Sequence, residues 1–238
     1  MLMQKSDYLV ITPTFNEAEN IKLFTTSILN LGIDLLIIDD SSPDKTGEII
    51  KLIQKDHKNL FLISRESKLG LGSAYREGFD WAQKNDYKFI IEMDADFSHR
   101  IEDLEKLISF NQDYGLLIGS RYVPGGTTVG WDKKRKVLSK YANSFTKFLL
   151  RSKVNDLTSG FRIYTKESLN KINYKKIKSD GYSFQIEMTA NAIFNNINII
   201  EVPITFEERR LGQSKMSFSI IIEAVIKIFV LGLKRFIN

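Results

Sequence analysis

The chain has 238 residues, 43% of them apolar, enough to bury the core of one α/β domain or of one with a small appendage. It contains no cysteine, which excludes disulfides and thiolate metal sites and fits a reducing compartment. With 34 basic and 29 acidic residues, its net charge of +5 is too mild an excess to argue for nucleic acid, and no nucleic-acid partner is expected.

Met1 to Ser6 holds no sustained apolar run and the next one is a short strand, so no signal peptide is expected. No apolar run is long enough to span a bilayer. Asp7 to Thr12 reads as a first, β-branched strand. The turn Pro13-Thr14-Phe15-Asn16-Glu17 follows, since proline cannot continue a central ladder. A helix is predicted over Ala18–Leu31, capped by Asn16 or Thr14 and ended by Gly32. Leu35 to Ile38 is a second strand with Asp39-Asp40 at its carboxyl end, and Ser41-Ser42-Pro43-Asp44 opens the next helix. Leu60–Ile63 is a strand, Arg65–Gly72 a loop and Ser73–Lys84 a helix. The G-x-G-x-x-G dinucleotide fingerprint is absent after the first strand, and Gly70-Leu71-Gly72 lies too far along to serve as one.

Phe89 to Met93 is a short apolar run that leads straight into Asp94-Ala95-Asp96. It has the character of a buried parallel strand, and ligands bind beyond the carboxyl ends of such strands. Two carboxylates there suit a hard divalent ion, Mg2+ or Mn2+, shared with a substrate diphosphate. Asp39/Asp40 at a second strand end can accept from a nucleoside's hydroxyls and ring nitrogens or bind its metal. Strands alternating with helices of about 10–15 residues predict a mainly parallel sheet with right-handed crossovers.

A helix over Ile101–Asn111 and a strand over Leu116–Gly119 end at Ser120-Arg121, and the glycine-rich segment Val123–Gly130 reads as mobile. A basic helix follows over about Lys133–Leu150. It carries Lys133, Lys134, Arg135, Lys136, Lys140 and Lys147, with Val137, Leu138, Tyr141, Phe145, Phe148 and Leu149 at helical spacing. This stripe suits phosphate or an anionic membrane surface, or is a solvated helix face. Tyr182–Phe194 reads as a helix, and Ile197–Phe206 as a strand whose Pro203 makes part of it an edge or a bend. Over Phe218–Asn238 the charges Glu223, Lys227 and Lys234 fall in one narrow stripe of an otherwise apolar helix, which packs on the sheet, lies in a membrane interface or meets a subunit.

The motifs TPTFNEAENI, IIDDSSPDKTGE, SKLGLGSAYREGF and MDADFSH are shared widely among related transferases. GSRYVPGG, WDKKRKVLSKYAN, DLTSGFRIY and EVPITFEERRLGQSKMS belong more narrowly to one branch. From about Val10 to Met216 the chain resembles the dolichol-phosphate (polyprenol-phosphate) mannosyltransferases of GT-A fold, in their short single-domain form. The resemblance implies a Rossmann-like transferase domain over 1–217 and a C-terminal amphipathic helix over 218–238. It implies a nucleotide-sugar donor, typically GDP-mannose, a polyprenyl monophosphate acceptor and an inverting displacement. It also implies peripheral contact at the cytoplasmic face of a membrane, and leaves room for a membrane-anchoring partner subunit.

By the same resemblance, Pro13, Phe15, Glu17, Ile38 and Asp40 hold the nucleoside, and Asp94, Ala95 and Asp96 the metal and diphosphate. Arg121, Arg209 and Lys215 line the diphosphate and acceptor site, while Arg135 and Ser139 grip the acceptor phosphate together with Arg121 and Arg209. The catalytic set is then Asp94, Asp96 and Arg121. Ser98 stands where some members carry Gln beside the metal, and Phe15 where Tyr is common. A phosphate monoester is largely ionised near pH 7 and needs no general base. His57 therefore reads as surface, and His99 as at most a positioning group. Lys68 is a candidate for the nucleotide side, and Arg162 for a structural ion pair. Other readings of the same residues are another donor such as UDP-glucose, a nucleotide-sugar binding module without turnover, or a glycosidase built on paired carboxylates.

Overall fold

The computed structural model describes residues 4–208 together with Phe229 and Leu231. Strand β1 (Tyr8–Thr14) runs through helix α1 (Ala18–Asn30) to β2 (Asp34–Asp39), then through α2 (Thr46–Gln54) to β3 (Leu60–Ser64). Helix α3 (Leu71–Lys84) returns the chain to β4 (Phe89–Glu92) on the other side of β1. Then come α4 (Ile101–Ile108), β5 (Leu116–Ser120), β6 (Thr127–Val129), α5 (Lys133–Leu149), β7 (Arg162–Thr165), α6 (Lys166–Ile172), α7 (Gly181–Phe194), β8 (Ile199–Pro203) and β9 (Thr205–Glu207). The main sheet has the order β3-β2-β1-β4-β7-β5-β8 and is parallel except for β7, which is antiparallel to both its neighbours. The expected mainly parallel α/β fold is present.

Alternate residues of the strands feed two cores. Leu9, Ile11, Leu36, Ile38, Ile90, Leu116 and Ile118 face α3, α6 and α7. Tyr8, Val10, Leu35, Ile37, Ile91, Met93 and Leu117 face α1, α2 and α4. The strands step outward from β1 to β3 and then jump back to β4, so right-handed crossovers place α1 and α2 on one face and α3 on the other. The strand order reverses between β1 and β4, which is where a crevice opens above their carboxyl ends.

Several local expectations change. Pro13 belongs to β1 and lies opposite Ile38. The register with β4 ends at Ile11 and Glu92, so the donor that proline lacks falls beyond that ladder. Neither Asn16 nor Thr14 caps α1: Asn16 has a φ of 59°, and Asp44 from the following loop accepts from Ala18 N–H at 2.9 Å. Pro43 stands outside α2, whose first residue is Thr46. Val123–Gly130 is tied down rather than loose, because Thr127 N–H donates to Ile204 at 3.0 Å and β6 pairs with β9. The strand anticipated over 197–206 breaks at Ile204 into β8, an edge strand, and β9.

Helix α5 departs most from its spacing. Its buried residues are Asn143 and Thr146, while Val137, Leu138, Tyr141 and Phe148 are 61–75% exposed. These four apolar residues at helical spacing face outward beside the lysines. Of the C-terminal stretch 218–238, Leu231 is buried in the α3–α7 core and the Phe229 ring meets Phe145 edge-on at 5.7 Å. The rest of that stretch, with Arg209 and Lys215, lies outside the described residues. Among the described residues no helix is long and apolar enough to cross a membrane.

Candidate active site

Above the β1–β4 crevice lies a cleft of about 360 Å³. At one end it is lined by Pro13, Thr14, Phe15, Glu17, Asp40, Lys68, Gly70 and Leu71, and at its floor by Asp94, Ala95, Asp96, Ser98 and His99. At the other end are Arg121, Arg135, Thr158 and Phe206. Every predicted site residue that is described lines this cleft except Ile38 and Ser139. Ile38 is fully buried in the sheet, and a Cβ added to Gly78 of α3 would sit 3.0 Å from it, so its side chain is core. Ser139 is half-buried on α5 and accepts from the Tyr122 hydroxyl at 2.6 Å.

The two strand-end carboxylate pairs differ in kind. Asp39 is a structural group: it accepts from the Thr14 hydroxyl at 2.9 Å and from the Ser42 hydroxyl and N–H at 2.6 and 3.0 Å. Asp40 does line the cleft, but its oxygens are engaged by the Arg65 guanidinium and by the N–H groups of Leu69 and Gly70 at 3.1 and 3.2 Å. Arg65 is 7% exposed and closes the 65–70 loop over this end through Ser73 and the Gly70 carbonyl as well. Sequence reading passed over Arg65. The signal was the register: β2 and β3 align Asp39 with Ser64, which brings the next residues of each strand together. The Lys68 ammonium sits 4.2 Å from the centre of the Phe15 ring at this end of the cleft.

At the floor, Asp96 is 5% exposed, and its Oδ1 accepts from the Ser98 N–H at 3.0 Å and hydroxyl at 2.5 Å. The Ser98 hydroxyl is thereby committed to orienting Asp96. His99 accepts from the Asp94 N–H at 3.2 Å through Nδ1 and stacks on Phe161 at 4.8 Å. Burial pushes the His99 imidazole down to about 4, which keeps it neutral near pH 7. The turn is clamped from outside by β9, since Glu207 N–H donates to the Ser98 carbonyl at 3.0 Å and Arg100 to the Glu207 carboxylate at 2.5 Å. Two carboxylates with hard oxygen donors suit Mg2+ or Mn2+. Among the described residues no group of three or more His, Cys, Asp or Glu side chains assembles for a metal. The donor set therefore fits an ion whose coordination is completed by substrate oxygens and water.

At the far end Arg121 is 6% exposed and held by Asp156, which is fully buried. Nε and Nη2 donate to the two Asp156 oxygens at 2.7 Å each, and Nη2 also reaches the Thr158 hydroxyl at 2.8 Å. Tyr122, Trp131 and Phe206 surround the guanidinium with ring centres 5.2–5.6 Å away. Burial alone would lift the Asp156 carboxyl, yet the neighbouring Arg121 outweighs it and holds the group below its ordinary value. Burial opposes the Arg121 charge too, and Asp156 more than offsets that. Asn143 of α5 completes the frame, donating to Thr158 at 3.1 Å and accepting from Leu157 N–H at 2.9 Å. Arg135 opens α5, where Asp132 caps the helix at 2.8 Å. Its guanidinium lies 4.1 Å over the Trp131 ring and donates to Glu208 at 3.0 Å. Trp131 thus stands between the two arginines, brought together from positions fourteen residues apart. Arg162 is a structural residue, as expected, but among the described residues it is held by carbonyls and not by an ion pair. It is fully buried and donates to the carbonyls of Ser159, Leu157 and Gln185 at 2.6–3.0 Å.

The fold is shared with solved glycosyltransferases. A glucosyl-3-phosphoglycerate synthase from Mycobacterium tuberculosis, in complex with Mn2+, UDP-glucose and phosphoglyceric acid, superposes with a TM-score of 0.67 at 17% identity, covering 96% of this chain and 79% of that one. A mannosyltransferase from Pyrobaculum calidifontis, in complex with GDP-Man and Mn2+, gives 0.65 at 14%, covering 98% and 65%. The chain is 45% identical over 230 residues to the polyprenol monophosphomannose synthase of Mycolicibacterium smegmatis, covering 95% of this chain and 87% of that one. It is 40% identical to the undecaprenyl-phosphate mannosyltransferase of Micrococcus luteus, covering 94% and 93%. The family profile for "Glycosyl transferase family 2" matches residues 9–172, which hold the strand-end aspartates, the Arg121–Asp156 pair and Arg135 in a single span. The chain belongs to glycosyl transferase family 2.

Proposed function

We propose that the protein transfers mannose from GDP-mannose to a polyprenyl monophosphate by a single inverting displacement. The observation that carries this reading is one cleft with an aspartate pair at its floor and two arginines at one end. An anionic leaving group and an anionic acceptor both need positive charge, and one cavity offers two sources of it: a cation held by the aspartates and the guanidinium groups. The names of the two relatives at 40–45% identity agree with the mannose and the lipid phosphate.

In this reading Pro13, Phe15, Glu17 and Lys68 seat the nucleoside, with the 65–70 loop fixed by Arg65 and Asp40. Asp94 and Asp96 would hold a divalent ion, Mg2+ or Mn2+, whose positive charge would support the departing diphosphate. Ser98 and His99 hold the geometry of that turn. Arg121 and Arg135 dock the acceptor phosphate, Arg121 presenting an edge fixed by Asp156. Arg suits this task because its planar fork matches phosphate oxygens. No side chain need remove a proton, since the phosphate is already an anion at neutral pH. Neutral, buried His99 is consistent with that.

The acceptor's lipid tail requires access from a membrane. The outward face of α5 carries Val137, Leu138, Tyr141 and Phe148 beside the exposed Lys133, Lys134, Lys136 and Lys140, and Arg135 leads from it into the cleft. This composition suits peripheral binding to an anionic bilayer, apolar side chains dipping between headgroups and lysines meeting phosphates. On the cytoplasmic face, anionic lipids would supply that charge. No membrane-anchoring subunit is needed for this reading, though one is compatible with it.

The deciding experiment is a donor screen, GDP-mannose against UDP-glucose, with a short polyprenyl phosphate and products resolved by mass, with and without EDTA. Mannosyl phospholipid formed only with free metal supports the reading. Product from UDP-glucose alone would replace the donor, and no product from any donor would leave a binding module. Vesicle co-sedimentation with Tyr141→Ser and Phe148→Ser tests the membrane face, since both residues are exposed and the fold should be indifferent to them.

A further inference from the structure

The fourth wall of the cleft has had no part so far. It is built by Gly160, in the loop before β7, and by Asp180, Gly181, Tyr182 and Gln185 at the start of α7. A group passed from a diphosphate at Asp94/Asp96 to a phosphate at Arg121/Arg135 must lie between them, and this wall is what it would face. We propose that the wall seats the transferred hexose, with Asp180 and Gln185 reading its hydroxyl pattern. This rests on the hexosyl transfer proposed above and names the residues that choose the sugar.

The wall has room and one unmet buried acceptor. A Cβ built on Gly160 would stand 3.8 Å from both Asp94 Oδ2 and Gln185 Nε2, and 3.9 Å from His99 Cε1. Groups from three different elements thus ring one open point, at a distance a hydroxyl could fill. Gln185 is 2% exposed, and its Nε2 donates to Glu92 at 2.7 Å. Its Oε1 has no hydrogen-bond partner among the described residues. An unmet buried acceptor is costly, so a ligand O–H that reaches it is favoured.

Asp180 is placed by the glycine pair that had no role as a nucleotide fingerprint. Its Oδ1 accepts from Gly72 N–H at 2.6 Å. A Cβ on Gly70, whose φ is +92°, would fall 2.1 Å from Asp180 Oδ2, and one on Gly72 would fall 2.5 Å from the Ser179 carbonyl. Gly70 and Gly72 therefore form the notch into which residues 179–180 fit. Asp180 is thereby an exposed residue of the cleft lining whose carboxylate is held in the glycine notch, beside the half-exposed ring of Tyr182. Hexose epimers differ in the direction of one hydroxyl. A wall of fixed acceptors rejects the wrong epimer because its own groups are then left unpaired.

Two variants of the full chain test this, Gly160→Ala and Asp180→Asn. The alanine methyl makes only ordinary contacts, so the fold tolerates it while the open point is filled. Asparagine retains an oxygen for Gly72 N–H. The readouts are calorimetric affinity for GDP with Mn2+, and kcat/KM for GDP-mannose and GDP-glucose, which differ at one hydroxyl. Both variants should bind GDP within about twofold of wild type. Gly160→Ala should lower kcat/KM for GDP-mannose more than tenfold, and Asp180→Asn should narrow the preference between the donors about tenfold or more. Unchanged kcat/KM and unchanged preference would overturn the assignment. So would a loss of GDP affinity parallel to the loss of kcat/KM, which would give the wall to the nucleotide. A wild-type protein that turns over neither donor fails the underlying reading instead, before any variant is made.

Discussion

The two ends of the cleft are built on opposite plans. At the end proposed for the nucleoside, the buried carboxylate of Asp40 is held by the main-chain N–H groups of Leu69 and Gly70 and by one buried arginine, Arg65, while Lys68 lies over the Phe15 ring. At the acceptor end the charge is positive and held by carboxylates, in two grades. Arg121 is locked to fully buried Asp156, whereas Arg135 shares a half-exposed contact with Glu208. The first end is fixed before any ligand arrives. The second has one rigid cation and one that must change partners, which suits a substrate arriving from outside the domain.

The largest test of this contrast is at the floor between the ends. Asp96→Asn should leave the melting temperature nearly unchanged, because the amide oxygen still accepts from Ser98. Turnover should fall roughly a thousandfold, the loss expected when a charged metal ligand is removed. Near-normal rates for this variant in EDTA would remove the metal role. Next in size is the rigid cation. Asp156→Ala leaves Arg121 buried without its partner and should cost about 3–5 kcal/mol of stability by chemical denaturation. A loss below about 1 kcal/mol would mean that Arg121 relaxes to solvent, and the two arginines would then be of one grade.

A third test lies between the grades. Glu92 of β4 faces Arg162 across the sheet, and burial lifts its carboxyl to about 7 from 4.5 despite that guanidinium. From about pH 4.5 to about 7 the native protein keeps a proton that the unfolded chain has released, so this group's contribution falls as pH rises. Neutral His99 acts in the opposite sense, its contribution falling as pH drops from 6.5 towards about 4. Glu92→Gln removes the first effect alone. The variant should gain on wild type by about 3 kcal/mol between pH 4.5 and 7, with little change above. A difference that does not vary with pH would mean that Glu92 stays ionised in the native state.

What was legible in the sequence follows the same divide. The strand-end aspartates could be read because each directly continues its own apolar run, so local periodicity placed them. Arg121 was placed by the same rule. Asp156 could not be: it is 35 residues from its partner, with a β-strand and a long helix between them. Nor could the outward turn of α5 be read, because its spacing fits a buried face as well as an exposed one. Only the burial of Asn143 and Thr146, polar residues bonded to Thr158, Leu157 and the Ala142 carbonyl, decides it. Ile38 was misplaced because the motif that contains it marks the strand, while only the residue after the strand reaches the cleft.

The mobile grade of cation makes the smaller predictions. Arg135→Ala should raise the acceptor KM about 10- to 150-fold, the equivalent of a lost charge-assisted hydrogen bond, and leave GDP affinity nearly unchanged. Arg135→Lys should recover part of this, because it keeps the charge and loses the fork. If Arg135→Ala weakens GDP instead, the arginine belongs to the donor. The last test reverses the sign. Glu208 occupies the Arg135 guanidinium at 3.0 Å, so an incoming phosphate must displace it. Neutralising Glu208 should then help the acceptor rather than harm it. The pair is exposed by a third at Arg135 and a half at Glu208, so water screens it and its worth is below about 1 kcal/mol. Glu208→Gln should therefore lower the acceptor KM by no more than about fivefold, and the gain should shrink as salt is raised. Steady-state kinetics at two ionic strengths reads both. A higher acceptor KM in this variant would show that Glu208 supports Arg135 as Asp156 supports Arg121, and the two grades would become one.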